Sequence, residues 1–404
     1  MLLLSGLAAS ISANFGGVSG NAFYRLYAAA AVAVFLAGNS AIAVHAAPLQ
    51  SARFIGATGC KSSSCHGGAG EKRSQYLTWE QQDFHARAYA VLVNARSARM
   101  AEALSLPAAQ TSSRCTVCHS PFQSVAPAHL AETAHADEGV SCESCHAAAE
   151  PWLRGHTRKD WKYATRVGAG MRDLRNFYVR ANTCVACHQN LDADLLRVGH
   201  PELTFELDGQ SVVEPRHWRD EDPWSGPRAW LVGQAVALRE MSWMLAKSET
   251  PDADATARWR ALVWLLAKTT ANQTRLQVID PPGGTASQAM FATTQKQADS
   301  LARQAAAIPW NDLRVAAMLQ SLVATESEFV VSPAASPELL FRRAQRLVLA
   351  LDRLSRAVDH QVAASPRSAA LTALSEDVRL RPDFQPAKFA TDLATLRTTM
   401  QGAP

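Results

Sequence analysis

The sequence predicts a mainly α-helical protein in two parts, on three observations. No stretch of useful length alternates apolar and polar residues, so strands are not expected. Residues 226–404 repeat apolar side chains at helical spacing, which reads as a helical bundle. Residues 55–205 have few long apolar runs, yet they hold all eight cysteines, in four pairs each followed at once by histidine.

The four runs are CKSSSCH (Cys60, Cys65, His66), CTVCH (Cys115, Cys118, His119), CESCH (Cys142, Cys145, His146) and CVACH (Cys184, Cys187, His188). A cysteine pair one tight turn apart matches the two vinyl groups of a porphyrin, and thioether bonds to both attach a c-type haem. The histidine directly after the second cysteine then supplies the fifth ligand of the iron. Zinc sites and disulfides also use paired cysteines, but neither explains a histidine after every pair. The first run has four intervening residues, three of them serines, and is read as the same motif with a looser turn. The expected cofactors are four haem c. The fold class is therefore a multihaem cytochrome c domain with haems as its core, followed by an α-helical bundle domain.

The 404 residues are enough for two domains, and 48% hydrophobic with 19% charged residues is an ordinary globular balance. The net charge of +4 comes without a basic run or an aromatic-basic stripe, so nucleic acid is not an expected partner. Residues 1–46 read as a signal peptide: Arg25 is their only charge, LYAAAAVAVFLAG follows it, and Val44-His45-Ala46 offers a small-residue cleavage site before Ala47. The competing reading is an uncleaved membrane anchor over residues 26–47, against which Gly38, Asn39 and Ser40 weigh. Either reading exports the rest of the chain, which agrees with covalent haem attachment outside the cytoplasm. The expected location is the periplasm, with membrane contact only if the segment stays uncleaved.

Within residues 55–205 one helix is expected over residues 79–104, which are rich in helix formers. Residues 206–225, charged and running into the turn-rich DPWSGP at 222–227, read as a linker. Helices are then expected at about 225–247, 254–276, 285–307, 311–329, 337–360 and 385–400. The fifth of these carries Leu340, Ala344, Leu347, Leu351, Leu354 and Val358 on one face and arginines on the others.

A haem that only carries electrons has six ligands, whereas one that does chemistry keeps a position open. Seven histidines remain after the four motif histidines and His45. His85, His156 and His200 are expected as sixth ligands. His129 and His135, between the second and third motifs, compete for one further position. His217 and His360 read as surface or structural residues.

GVSCESCHAAAEPWLRGHTRK (139–159) and TWEQQDFHARAYAVL (78–92) resemble the third haem site and the helix after the first motif of the tetrahaem cytochrome c-554 family. The resemblance covers about residues 55–205. It implies haems packed in close pairs and crossed ligation: His156 for the haem of His66, His85 for that of His146, and His200 for that of His188. It also implies a five-coordinate haem on His119 and electrons received from hydroxylamine oxidation. The sequence departs from the family in the longer first motif, in His129 and His135 near the second haem, and in the larger helical region. The expected function is an electron carrier between redox protein donors and acceptors, not itself an enzyme. The alternative is a reductase or oxidase of nitric oxide, hydroxylamine or nitrite at the His119 haem, with Glu132, Asp137 and Glu138 in sequence reach. A partner surface on the C-terminal helical domain is a third reading, since Trp230, Trp243, Trp259 and Trp264 fit either a core or an interface.

Overall fold

The computed structural model describes residues 52–281, 283–330, 335–358, 366–379 and 381–401. The expected signal segment and His360 lie outside these residues. Among the described residues no strand forms; one parallel bridge joins Phe54 to Leu130. No described helix is long and apolar enough to cross a membrane.

The expected helix over 79–104 is broken. Helix α1 spans Gln75–Gln82, 3-10 turns follow at Phe84–Arg87 and Ala90–Val93, and α2 spans Ala95–Ala103. The breaks sit at side chains that cap backbone: Asp83 accepts from the His85 amide and Asn94 from the Ser97 amide. Such local hydrogen bonds offset helix propensity and turn the chain. The second motif lies on α3 (Ser113–His119) and the third on α4 (Cys142–His146). After α5 (Tyr163–Gly168), the fourth motif occupies the end of α6 (Phe177–His188), and α7 (Ala193–Arg197) follows.

Residues 206–225 are not a bare linker. They hold α8 (Leu207–Val213), whose Leu207 is buried together with Glu206, because the segment packs on the long helix that follows. That helix is α9 (Ser225–Lys247), and α10 (Ala253–Thr270), α11 (Gln288–Ala307), α12 (Asp312–Val323), α13 (Pro337–Val358), α14 (Pro366–Asp377) and α15 (Pro386–Gln401) complete the bundle. Six of these seven match expected helices; α14 was not anticipated. Their apolar faces form one core, in which Trp230 and Trp259 are fully buried and Trp264 nearly so. Burial of an aromatic of this size stabilises by about 2–3 kcal/mol. These three tryptophans are therefore core, and Trp243 alone of the four is substantially exposed.

The haem-motif region and the bundle share this core. Phe177, Ala181 and Val185 of α6 are buried in it, and α6 packs on α9 and α11. A polar cluster locks the same contact. Tyr178 donates to Asp299 at 2.6 Å, and Arg239 and Arg303 donate to the same carboxylate at 2.9 and 2.8 Å. Arg239 also donates to Asn182. The fourth motif thus stands on the bundle itself.

Candidate haem sites

Each motif histidine faces one other histidine. Ring centroids are 6.1 Å apart for His66 and His156, 5.9 Å for His85 and His188, 6.4 Å for His119 and His200, and 6.3 Å for His146 and His217. Two imidazoles that share one iron, at about 2 Å per metal–nitrogen bond, place their centroids roughly 6 Å apart. All four separations fit an iron between the rings.

The ring nitrogens agree. Nδ1 donates to Gln75 Oε1 from His66, to the Ala88 carbonyl from His119, to the Leu153 carbonyl from His156 and to the Pro201 carbonyl from His200. His85 donates Nδ1–H to Asp83 at 3.1 Å. Nε2 is left as the free nitrogen in all five, the tautomer a metal-bound histidine adopts when its other nitrogen is held. Burial, then the nearby His217, His66 and Arg172, pushes His146 down to about 4. Burial also lowers His119, His188 and His217. These rings are neutral at pH 7, which is the ligating form.

The cysteines fit attachment better than the alternatives. None of the eight forms a disulfide. Among the described residues, the one group of three possible ligand atoms within 4.8 Å of one another is Asp83, His85 and Glu214, and it contains none of the eight cysteines. Burial pushes the Cys145 and Cys184 thiols up to about 12. The Cys60 thiol lies beside that of Cys142, and the Cys118 thiol beside that of Cys187. Motif one therefore adjoins motif three, and motif two adjoins motif four. Beside the motifs, the Ser141 and Ser144 hydroxyls, Trp152 Nε1 and Gln189 Oε1 are buried without a hydrogen-bond partner, which fits a further polar group at each place.

Local structure aims each partner ring. At His156 the chain turns on the Trp152 carbonyl, which accepts from the His156 amide at 2.9 Å, and Trp152 stands edge-on to the imidazole at 5.4 Å. Gly155 is required there, since a Cβ would meet the Trp161 ring at 2.1 Å. At His200, Arg96 donates to the preceding Gly199 carbonyl, and Glu202 is held by Arg258 and Arg342 of the bundle. At His217, Arg180 of α6 grips Asp220 through two bonds of 2.8 and 3.1 Å, and Trp218 donates to the same carboxylate.

Several expectations change. His85 faces His188 rather than His146, and His200 faces His119 rather than His188. His217 is not a plain surface residue but the ring opposite His146. His119, expected from the resemblance to lack a sixth ligand, has His200 opposite it. Neither His129 nor His135 makes a ring contact with a motif histidine among the described residues. His129 is pinned elsewhere, because its carbonyl accepts from the Phe54 amide at 2.8 Å. His135 is exposed and caps the turn Ala136–Glu138.

Residues 60–147 match the family of cytochrome c554 and c-prime. The matched segment spans the first three motifs, and it supports a c-type cytochrome with covalently bound haem c that works in electron transfer. The fourth motif, His156, His200 and His217 lie beyond the cytochrome c554 match. Neither the curated proteins nor the solved structures include a match to the chain.

Two further residues of the cytochrome region escaped the sequence reading. Glu143, inside CESCH, is 1% exposed and accepts from the Ile55, Gly56 and Ala149 amides at 2.9, 2.6 and 2.6 Å. It staples the N-terminal segment and the loop after α4 to the third motif. Burial pushes its carboxyl up, against those three donors. Arg172 donates to the Ser144 and Cys145 carbonyls at 2.7 and 3.0 Å, and so caps the end of α4.

Proposed function

We propose that the chain is an exported tetrahaem c-type cytochrome that passes electrons between redox proteins in the periplasm. The observation that carries this reading is the set of four histidine pairs, one for every cysteine motif, at 5.9–6.4 Å. His66 with His156, His119 with His200, His146 with His217 and His188 with His85 would each hold one iron, with the adjoining cysteines as thioether anchors. The haem supplies a one-electron ferric–ferrous couple. The protein's own residues fix five of the imidazoles through Nδ1 hydrogen bonds, keep His119, His146, His188 and His217 neutral by burial, and hold motif four on the bundle.

His200 opposite His119 supports six ligands at that site. It weighs against the alternative of nitric oxide, hydroxylamine or nitrite chemistry there, which needs an open position. The periplasmic location is supported by the N-terminal segment and by the covalent haem. Redox proteins are the proposed partners. Of the four bundle tryptophans, only Trp243, 42% exposed, is available to such a surface.

The test is expression in a host that matures c-type cytochromes, followed by intact mass, haem quantification and fractionation. Four haems per chain in the periplasmic fraction, reversible reduction and no turnover of hydroxylamine or nitrite are expected. Fewer than four haems, or catalytic turnover of either compound, would overturn the proposal.

A further inference from the structure

Of the eight paired histidines, His85 alone donates its Nδ1–H to a carboxylate. The four other Nδ1 contacts go to neutral oxygens, of Gln75, Ala88, Leu153 and Pro201. Asp83 is 5% exposed, and its Oδ1 accepts both the His85 amide at 2.9 Å and His85 Nδ1 at 3.1 Å. Glu214, just past α8, brings a second carboxylate: one oxygen of each acid and a ring nitrogen of His85 lie within 4.8 Å of one another.

The backbone around His85 is built to hold this contact. The Val140 amide donates to the His85 carbonyl at 3.0 Å, and Trp79 Nε1 donates to the Val140 carbonyl at 3.0 Å. Gly139, at φ 71°, lets the two segments meet; a Cβ there would stand 2.6 Å from the His85 carbonyl. These contacts fix the His85 main chain beside Asp83. The cations near this site are Arg172, which donates to the Ser144 and Cys145 carbonyls, and Arg180, which is paired with Asp220.

We infer that Asp83, helped by Glu214, is a positioning residue that makes the His85–His188 site the lowest in reduction potential of the four. This rests on the haem-ligand reading above. A carboxylate that accepts Nδ1–H makes the imidazole a stronger donor, and a buried negative charge favours the more positive oxidation state of the metal. Both effects stabilise ferric over ferrous iron. The Nδ1 acceptors at the His66–His156 and His119–His200 sites are neutral oxygens, and the buried Glu143 of the third motif accepts from three backbone amides rather than from a ring nitrogen. Asp83 also lies within electrostatic reach of His217, so a smaller effect of the same sign is expected at the His146–His217 site.

The test is a potentiometric titration, followed by optical and electron paramagnetic resonance spectra, of the wild-type holoprotein and of Asp83→Asn and Glu214→Gln. Asparagine keeps an acceptor oxygen but removes the charge. In Asp83→Asn the lowest component should rise by about a tenfold change in its ferrous-to-ferric ratio, or about 59 mV for one electron. Glu214→Gln leaves the hydrogen bond in place, so it should move the same component upward by less. With four low-spin haems retained, an unmoved lowest component in either variant, or a main shift in a higher component, would overturn the inference. If Asp83→Asn does not mature, Glu214→Gln decides by the same criterion. Fewer than four haems in the wild type would instead overturn the ligand reading itself, so the two failures are told apart.

Discussion

Removing the Asp299 carboxylate should loosen the fourth motif from the bundle by an amount that the geometry sets. Asp299 on α11 accepts from Tyr178 on α6 and Arg239 on α9 at 2.6 and 2.9 Å, and from its own-helix neighbour Arg303 at 2.8 Å. Hydrogen bonds to a charged group contribute about 1.5–3 kcal/mol each when shielded and far less when exposed. Arg303 is 62% exposed and adds little, whereas Arg239 is 13% exposed. Asp299→Ala should therefore cost about 3 kcal/mol at pH 7, and Asp299→Asn about half of that. Burial raises the Asp299 carboxyl, but the Tyr178, Arg303 and Arg239 hydrogen bonds outweigh it and bring it down to about 2. A folded value below the unfolded one of about 3.9 means stability that is present above pH 4 and lost as pH falls toward 2. At about 1.36 kcal/mol per pH unit the ceiling is roughly 2.6 kcal/mol, which partial exposure reduces to about 1 kcal/mol. Urea unfolding of the holoprotein followed by far-ultraviolet circular dichroism, at pH 7 and at steps down to pH 2, reads both effects. A loss under about 1 kcal/mol for Asp299→Ala at pH 7, or a gap between wild type and Asp299→Asn that does not narrow below pH 4, would refute the argument.

Other substitutions probe the sites directly. His217→Ala and His200→Ala should each convert one of the four irons from low-spin to high-spin, read by electron paramagnetic resonance; spectra unchanged from wild type would remove these residues from the ligand set. His129→Ala and His135→Ala should leave every haem signal in place, since neither ring reaches a motif histidine. Glu143→Ala strands three backbone amides at about 1–3 kcal/mol each. It should lower the thermal midpoint by several degrees and reduce haem loading at motifs one and three, read by calorimetry and peptide mass. An unchanged midpoint would deny the staple.

The helical region was legible because it obeys local rules. Ser225 and Pro227 opened α9 as expected, and the apolar face of α13, from Leu340 to Val358, is the one that packs. The motif cysteines and histidines were legible because their chemistry is written in adjacent residues. The partner histidines were not, since pairing is a long-range contact. His200 stands opposite a residue 81 positions earlier and His217 opposite one 71 positions earlier. Nearness in sequence instead favoured His129 and His135, which the backbone ties to Phe54 and to the turn before Gly139. His217 carried one usable signal: it adjoins Trp218, as His156 follows Trp152, and in both cases the indole packs edge-on to the ring. The break of the expected helix over 79–104 followed from Asp83 and Asn94, whose side chains cap the backbone and outweigh the helix formers around them.

The most direct test of the central claim is electron paramagnetic resonance of the oxidised wild-type holoprotein at a measured haem-to-chain ratio. Four histidine pairs predict four haems and only low-spin ferric signals. A high-spin signal amounting to about one iron in four would contradict the pairing of His200 with His119 and reopen that site to chemistry.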